Sequence, residues 1–302
     1  MDENDNVLMQ QDGQRYIPEK YRESKNPALE ALICFLIMLG FLAVQVLTMI
    51  PFIISAVREQ WPYLDPFLSD EEKFAVIMDS LDTGTISFVT TLISLIVAVI
   101  WYRKAFCKNF GLAELKETCR RSLKPGIVLG LFFAALALYY ITIFLVGFLD
   151  YAFPQVVEKY NELMDSSGIN NFDWSVIVLT VVMAPINEEC IMRGIILTRL
   201  KRKMIPIAAI VISAVYFGIF HLNIVQGIYA GVMGLFMAYV AYKYGSIVPS
   251  MVFHAMFNAL NYLLMLLPAS IMENGIVLIS VPVISAVLWY LLEGRKKLEQ
   301  KG

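Results

Sequence analysis

Long apolar runs separated by short polar breaks dominate this chain. Crossing the hydrocarbon core of a bilayer takes about 20 apolar residues. Runs of that order occupy residues 29–54, 84–102, 126–149, 174–198, 205–222, 224–242, 246–267 and 275–292. The pattern predicts an all-α fold, a polytopic membrane helix bundle of about eight transmembrane helices. Pro51 is expected to kink or end the first of them. Residues 151–166 read as an amphipathic segment lying along the surface. The polar stretch before the first run is not expected to be a cleavable signal.

Charge sharpens this picture. The chain is 58% hydrophobic with a net charge of −2, but its basic residues are unevenly placed. Of the 24 lysines and arginines, 20 fall in the tail before residue 29, in 103–124, in 199–203, at Lys243 and in the C-terminal tail. The other side of an eight-span arrangement holds only Arg58, Lys73 and Lys159, with Arg193 inside a span. By the positive-inside rule both termini are expected on the cytoplasmic side. The acidic loop 55–83 then faces outward as a solvated segment, and the basic loop 103–124 contacts headgroups. Cys34, Cys107, Cys119 and Cys190 show no CxxC spacing and read as free thiols. No glycine-rich phosphate loop is present, so powered transport by this chain alone is not expected, and neither is a nucleic-acid partner.

Against that apolar background, a few polar residues stand out. Glu188, Glu189 and Arg193 share one apolar run, and the only two histidines, His221 and His254, lie in later ones. Ionisable groups cost about 2.5–3.5 kcal/mol at mid-bilayer on insertion scales, so they usually line a functional cavity. At 100° per residue, Glu189 and Arg193 stack as an i, i+4 pair, while Glu188 points about 100° away. Glu189 and Arg193 can neutralise each other, which leaves Glu188 free to face an intramembrane polar cavity. Pro185 should crowd the Val181 carbonyl and break the helix just before the acids. Phe217 shares a face with His221, and His254 with Asn258, while Gly218 allows close helix approach. Counted from the basic ends of their spans, Glu188 lies ~17 Å deep, His221 ~22 Å and His254 ~12 Å. One central layer is expected.

This set suits hydrolysis of an amide. A partly desolvated Glu188 serves as the base for a water, His221 shares the proton, and His254 with Asn258 donates to the oxyanion. Phe217 is expected to border the substrate. Cys190 shares a face with neither glutamate, so it is not read as a nucleophile.

The order EExxxR, FxxxH, HxxxN, written here by Glu188, Glu189 and Arg193, then Phe217 and His221, then His254 and Asn258, resembles the CAAX-protease and bacteriocin-processing (CPBP, or ABI) family. That family includes the Ras-converting CAAX prenyl endopeptidases, which are intramembrane glutamic proteases. The resemblance spans roughly residues 172–267. It implies that Glu188 and His221 activate water, that His254 and Asn258 hold the oxyanion, and that Glu189 and Arg193 organise the site, with no cofactor and no metal. The implied substrate is a membrane-anchored peptide or lipidated protein, reached from the cytoplasmic side or laterally from the lipid bilayer. The chain then divides into a polar tail (1–28), N-terminal spans (29–171), a catalytic core (172–267) and a last span with a basic tail (268–302).

Three other readings stand beside this one. One Glu and two His could bind zinc, although the HExxH signature is absent. A non-proteolytic scaffold could regulate a membrane protein partner such as a sensor kinase, or confer bacteriocin immunity. A proton-coupled transporter is weakened by the lack of an internal repeat.

Overall fold

In the computed structural model, which describes residues 26–106, 112–166, 173–272 and 274–299, apolar runs become helices and no strand occurs among the described residues. The tail 1–25, Cys107 and residues 300–302 lie outside them. In chain order the helices are α1 (Pro27–Gln60), α2 (Asp70–Asp79), α3 (Thr83–Phe106), α4 (Leu112–Ser122), α5 (Pro125–Ala152) and α6 (Pro154–Ser166). After them come α7 (Trp174–Leu200), α8 (Pro206–Phe220), α9 (Ile224–Tyr244), α10 (Val248–Met265), the short α11 (Ala269–Met272) and α12 (Gly275–Glu299). The protein is a polytopic helical bundle.

Six of these helices are long and apolar enough to cross a bilayer, where eight runs are expected from the sequence. α8 is only 15 residues long, because the chain turns at His221. The 18-residue α10 carries His254, Asn258 and Asn261, whose polarity lowers its hydropathy. Pro51 sits inside α1, which continues unbroken to Gln60. α6 also departs from expectation. Its Val157 packs with Leu149 of α5 and Val225 of α9, so it is docked on the bundle and not simply laid on a membrane surface.

Boundaries follow local chemistry. Asn26 caps α1 by accepting from the Leu29 amide at 3.1 Å, with Pro27 as the first helical residue. Ser69 and Glu72 form a reciprocal capping box at α2. In α4, Arg120 and Arg121 clasp Glu117 at 2.7 and 2.5 Å and hold its carboxyl at about 2.

The core forms around the second half of α7. Residues Cys190–Leu197 adopt a π-helix and all eight are buried. A π register shifts the ladder to i→i+5 and leaves backbone groups for others to satisfy. Neighbours supply the donors. Ser213 Oγ of α8 donates to the Met192 carbonyl at 3.2 Å, Thr198 Oγ1 to that of Arg193 at 3.1 Å, and Cys34 Sγ of α1 approaches that of Ile196 at 3.9 Å. Gly194 accommodates α3, since a Cβ there would meet the Tyr102 ring at 2.7 Å. At the end of α7, Arg199 pairs with Glu30 of α1 at 2.7 Å.

α8 and α9 form a tight hairpin. A Cβ on Gly218 would lie 2.5 Å from the Gly227 carbonyl oxygen, and one on Gly227 would lie 3.0 Å from that of Gly218. Backbone faces backbone here, so no side chain can move aside. Gly218→Ala is therefore expected to destabilise the protein by about 1–3 kcal/mol, as overpacked cores do. Thermal unfolding in detergent measures it, and an unchanged midpoint would contradict this contact.

Candidate active site

α7 presents the two glutamates on different sides. Glu189 faces inward, where Arg193 Nη1 donates to its Oε1 at 2.6 Å and both side chains are fully buried. The guanidinium also donates through Nη2 to the Gly234 carbonyl at 3.2 Å, and stands 4.4 Å over the centre of the Phe217 ring. Ser250 Oγ of α10 donates to Glu189 Oε2. The charge of Glu189 is thus met by a cation and a hydroxyl, as a buried carboxylate requires. Nothing in the sequence marks Ser250 except that it lies four residues before His254, one turn away on the same helix face.

Glu188 turns to a cavity of 630 Å³. Its side chain is 16% exposed, and among the described residues its Oε2 has no hydrogen-bond partner. His254 reaches both acids, with Nδ1 3.4 Å from Glu189 Oε1 and Nε2 3.9 Å from Glu188 Oε2. His221 lines the same cavity from the end of α8. Its Nδ1 lies 2.8 Å from the Phe217 carbonyl. A carbonyl only accepts, so Nδ1 carries the hydrogen and Nε2 of the neutral ring keeps its lone pair. Glu188, His221 and His254 thus converge on one space.

Two features of His221 follow from its place in the chain. It is the C-cap of α8, not a mid-helix residue. The next residue, Leu222, has φ 55°, a left-handed conformation that favours glycine. That reversal leads straight into Asn223, whose Oδ1 caps α9 through the Gln226 amide at 3.0 Å. Strain in Leu222 accompanies a turn that holds the histidine at the edge of the cavity.

Phe217, expected to border substrate, is only 1% exposed. Besides carrying the Arg193 guanidinium, its ring makes edge contacts with His221 and His254, at centroid distances of 4.8 and 5.8 Å. It is a platform beneath the polar groups.

Pro185 acts differently from the simple kink expected at Val181. Residues Leu179–Met183 form a π-helix, and the Ala184 amide reaches back to the Leu179 carbonyl. In that register the next amide would serve the Thr180 carbonyl, but residue 185 is a proline and has none. Asn258 Nδ2 fills the vacancy, donating to the Thr180 carbonyl at 2.8 Å. One turn further along α10, the Tyr262 hydroxyl lies 2.9 Å from Thr180 Oγ1. One of the two amide hydrogens of Asn258 is therefore committed to holding α7 in place.

Many of the cavity-lining residues lie toward one end of the bundle. Successive spans alternate in direction. Gln45 and Met49 lie in the second half of α1, Ser87 to Thr91 in the first turns of α3, and Asn258 to Met265 late in α10. Tyr160 and Met164 of α6 complete it, with the Tyr160 and Tyr229 hydroxyls 3.2 Å apart. All of these point to the end that carries α2 and α6. The basic segments 116–124 and 199–203 lie at the other end. Both the Pro185 break and the turn at His221 sit toward the end that carries α2 and α6, away from the basic segments.

Cys34 and Cys119 are free thiols, and Cys190 is part of the apolar core. Among the described residues no group of three or more His, Cys, Asp or Glu side chains is arranged to hold a metal. The sequence pattern of the family described as type II CAAX prenyl endopeptidase, Rce1-like, matches residues 170–260, consistent with the wider CPBP/CAAX protease family. No curated protein and no solved structure matches the chain.

Proposed function

Starting from the Rce1-like character of residues 170–260, we propose that this chain is an intramembrane endopeptidase that hydrolyses a peptide bond with water activated by Glu188. The observation that carries the reading is the Glu188 carboxylate, whose buried Oε2 has no hydrogen-bond partner among the described residues, facing a cavity beside two imidazoles. A general base needs a free lone pair within reach of a water, and Glu188 has one.

The residues then divide the work. Glu188 takes a proton from water as the water oxygen bonds to the scissile carbonyl carbon. His221, with its Nε2 lone pair turned out by the Phe217 carbonyl, shares that proton. An Nε2 hydrogen on His254 and the second amide hydrogen of Asn258 stabilise the oxyanion. When the carbon–nitrogen bond breaks, the proton held by the Glu188 and His221 pair goes to the leaving amine. Glu189, fixed by Arg193 and Ser250, positions the His254 ring, and Phe217 positions both rings and the guanidinium. Phe217 is thus a positioning residue.

The basic end is assigned to the cytoplasm by the positive-inside rule, with both termini there, and the cavity then belongs to the opposite half of the membrane. The substrate is a membrane-associated peptide or protein.

Purified protein reconstituted with a library of membrane-tethered peptides tests this. Cleavage is expected to persist in excess chelator and to vanish in His221→Ala. Loss of cleavage in chelator alone would replace the mechanism with a metal-dependent one, and no cleavage of any tethered peptide would sink the protease reading.

A further inference from the structure

Most of the cavity wall is apolar, with Met49, Ile143, Leu179 and Met265 among its side chains, and that part can receive an apolar group. Against it stands a pair of tyrosines from two helices. Tyr160 of α6 and Tyr229 of α9 both line the cavity. Their hydroxyls are 3.2 Å apart, and their rings meet edge to face at a centroid distance of 6.5 Å.

The hydrogens of this pair do not balance. A phenol carries one O–H donor beside its acceptor lone pairs, so only one of the two hydrogens can lie between the two oxygens. The other has no acceptor among the described residues. The hydroxyls of Thr180 and Tyr262, which line the same cavity, differ in this respect. Thr180 Oγ1 donates to the Val176 carbonyl at 2.8 Å, so Tyr262 donates to Thr180 and both hydrogens are used. A hydroxyl shut away from water without an acceptor is costly. Whatever fills the cavity must therefore offer the tyrosine pair an acceptor.

Tyr229 is the better placed of the two to hold the outward hydrogen. It lies two residues beyond Gly227, whose backbone meets that of Gly218, so its position is fixed against α8 and His221. A hydrogen bond donated from Tyr160 to the Tyr229 oxygen also polarises Tyr229 and strengthens its own donation. A peptide brings a carbonyl at every residue. In the proposed mechanism the scissile carbonyl is served by His254 and Asn258, which leaves another carbonyl of the main chain for Tyr229.

We propose that Tyr229, backed by Tyr160, donates a hydrogen bond to a main-chain carbonyl of the substrate other than the scissile one, and so holds the peptide in place for cleavage. The proposal rests on the protease reading and adds a substrate-binding residue to it.

The test uses a membrane-tethered peptide that the wild type cleaves, made as a series in which each main-chain amide near the scissile bond is replaced in turn by a trans-alkene, which has no carbonyl. Tyr229→Phe keeps the ring and removes the hydroxyl, and is expected to lower kcat/KM for the parent peptide by about 5- to 20-fold, mostly through KM. One alkene of the series is expected to cost the wild type a similar factor, yet to cost Tyr229→Phe less than about 2-fold, because the bond it removes is already absent. A residue that only braced α6 against α9 would lower cleavage of every member alike. Tyr160→Phe is expected to lower kcat/KM by about 2- to 5-fold, since it removes the polarising donor. It shows the same convergence at the same alkene and replaces Tyr229→Phe in the comparison should the thermal midpoint of that variant show that it does not fold. Three results overturn the proposal and leave the protease reading standing: a full loss from Tyr229→Phe at every alkene position, an unchanged kcat/KM for the parent peptide, or a larger loss in Tyr160→Phe than in folded Tyr229→Phe. Failure of the wild type to cleave any tethered peptide overturns the protease reading instead.

Discussion

Glu188→Gln is expected to lower cleavage by about 100- to 10,000-fold, the range that a positioned acid–base group contributes, while leaving the protein folded. The fold should tolerate the change because the Glu188 Oε2 makes no hydrogen bond among the described residues. Glutamine keeps the shape of the side chain and removes its basicity. Peptide cleavage and thermal unfolding, measured on the same preparation, check both halves. Activity within a few-fold of wild type would remove Glu188 from the mechanism. Unfolding of the variant would show that its carboxylate supports the structure.

Its neighbour should behave in the opposite way. Arg193→Ala leaves the fully buried Glu189 carboxylate without its cation, and Glu189→Ala strands the guanidinium beneath Phe217. Breaking one side of a buried pair costs about 3–5 kcal/mol, so both variants should show a large fall in unfolding midpoint. Arg193→Lys does not rescue, because an ammonium cannot both fork to Glu189 and the Gly234 carbonyl and stack on the Phe217 ring. The double variant Glu189→Leu/Arg193→Met removes both charges and should recover much of the stability of either alanine variant without recovering cleavage. If the single alanine variants unfold like wild type, the pair is not the anchor described above. The two adjacent acids thus separate cleanly, one expected to govern rate and the other stability.

The period of the sequence was enough to place the long helices, the Glu189–Arg193 pair and the outward turn of Glu188, because an i, i+4 relation depends only on local geometry. The close approach at Gly218 was also legible, although its partner, Gly227, was not. What escaped the sequence depended on register and on distant neighbours. The π segments of α7 insert extra residues per turn that no apolar periodicity reveals when all eight residues from Cys190 to Leu197 are buried. Once that register is known, the Pro185 effect moves from the Val181 carbonyl to that of Thr180, and the grip of Asn258 on α7 follows. Phe217 lines the cavity, but the cation above its ring and the second imidazole beside it come from other helices, beyond the reach of local spacing. The half of the bundle holding the cavity needed all the spans at once.

The backbone contact between Gly218 and Gly227 bears on how the walls of the cavity yield. A hairpin whose two strands of chain touch without intervening side chains has little slack, so α8 and α9 move together and carry His221 and Gln226 as one stiff piece. The roof is softer. α6 joins α5 through Phe153, outside any helix and followed by Pro154, and bears on the bundle through Val157 and the Tyr160–Tyr229 hydroxyl contact. Deformation concentrates where packing is thinnest. On the proposed protease reading, α6 is the element expected to yield as a peptide enters while His221 and Gln226 keep their spacing, and faster hydrogen exchange in α6 than in α8 and α9 checks it.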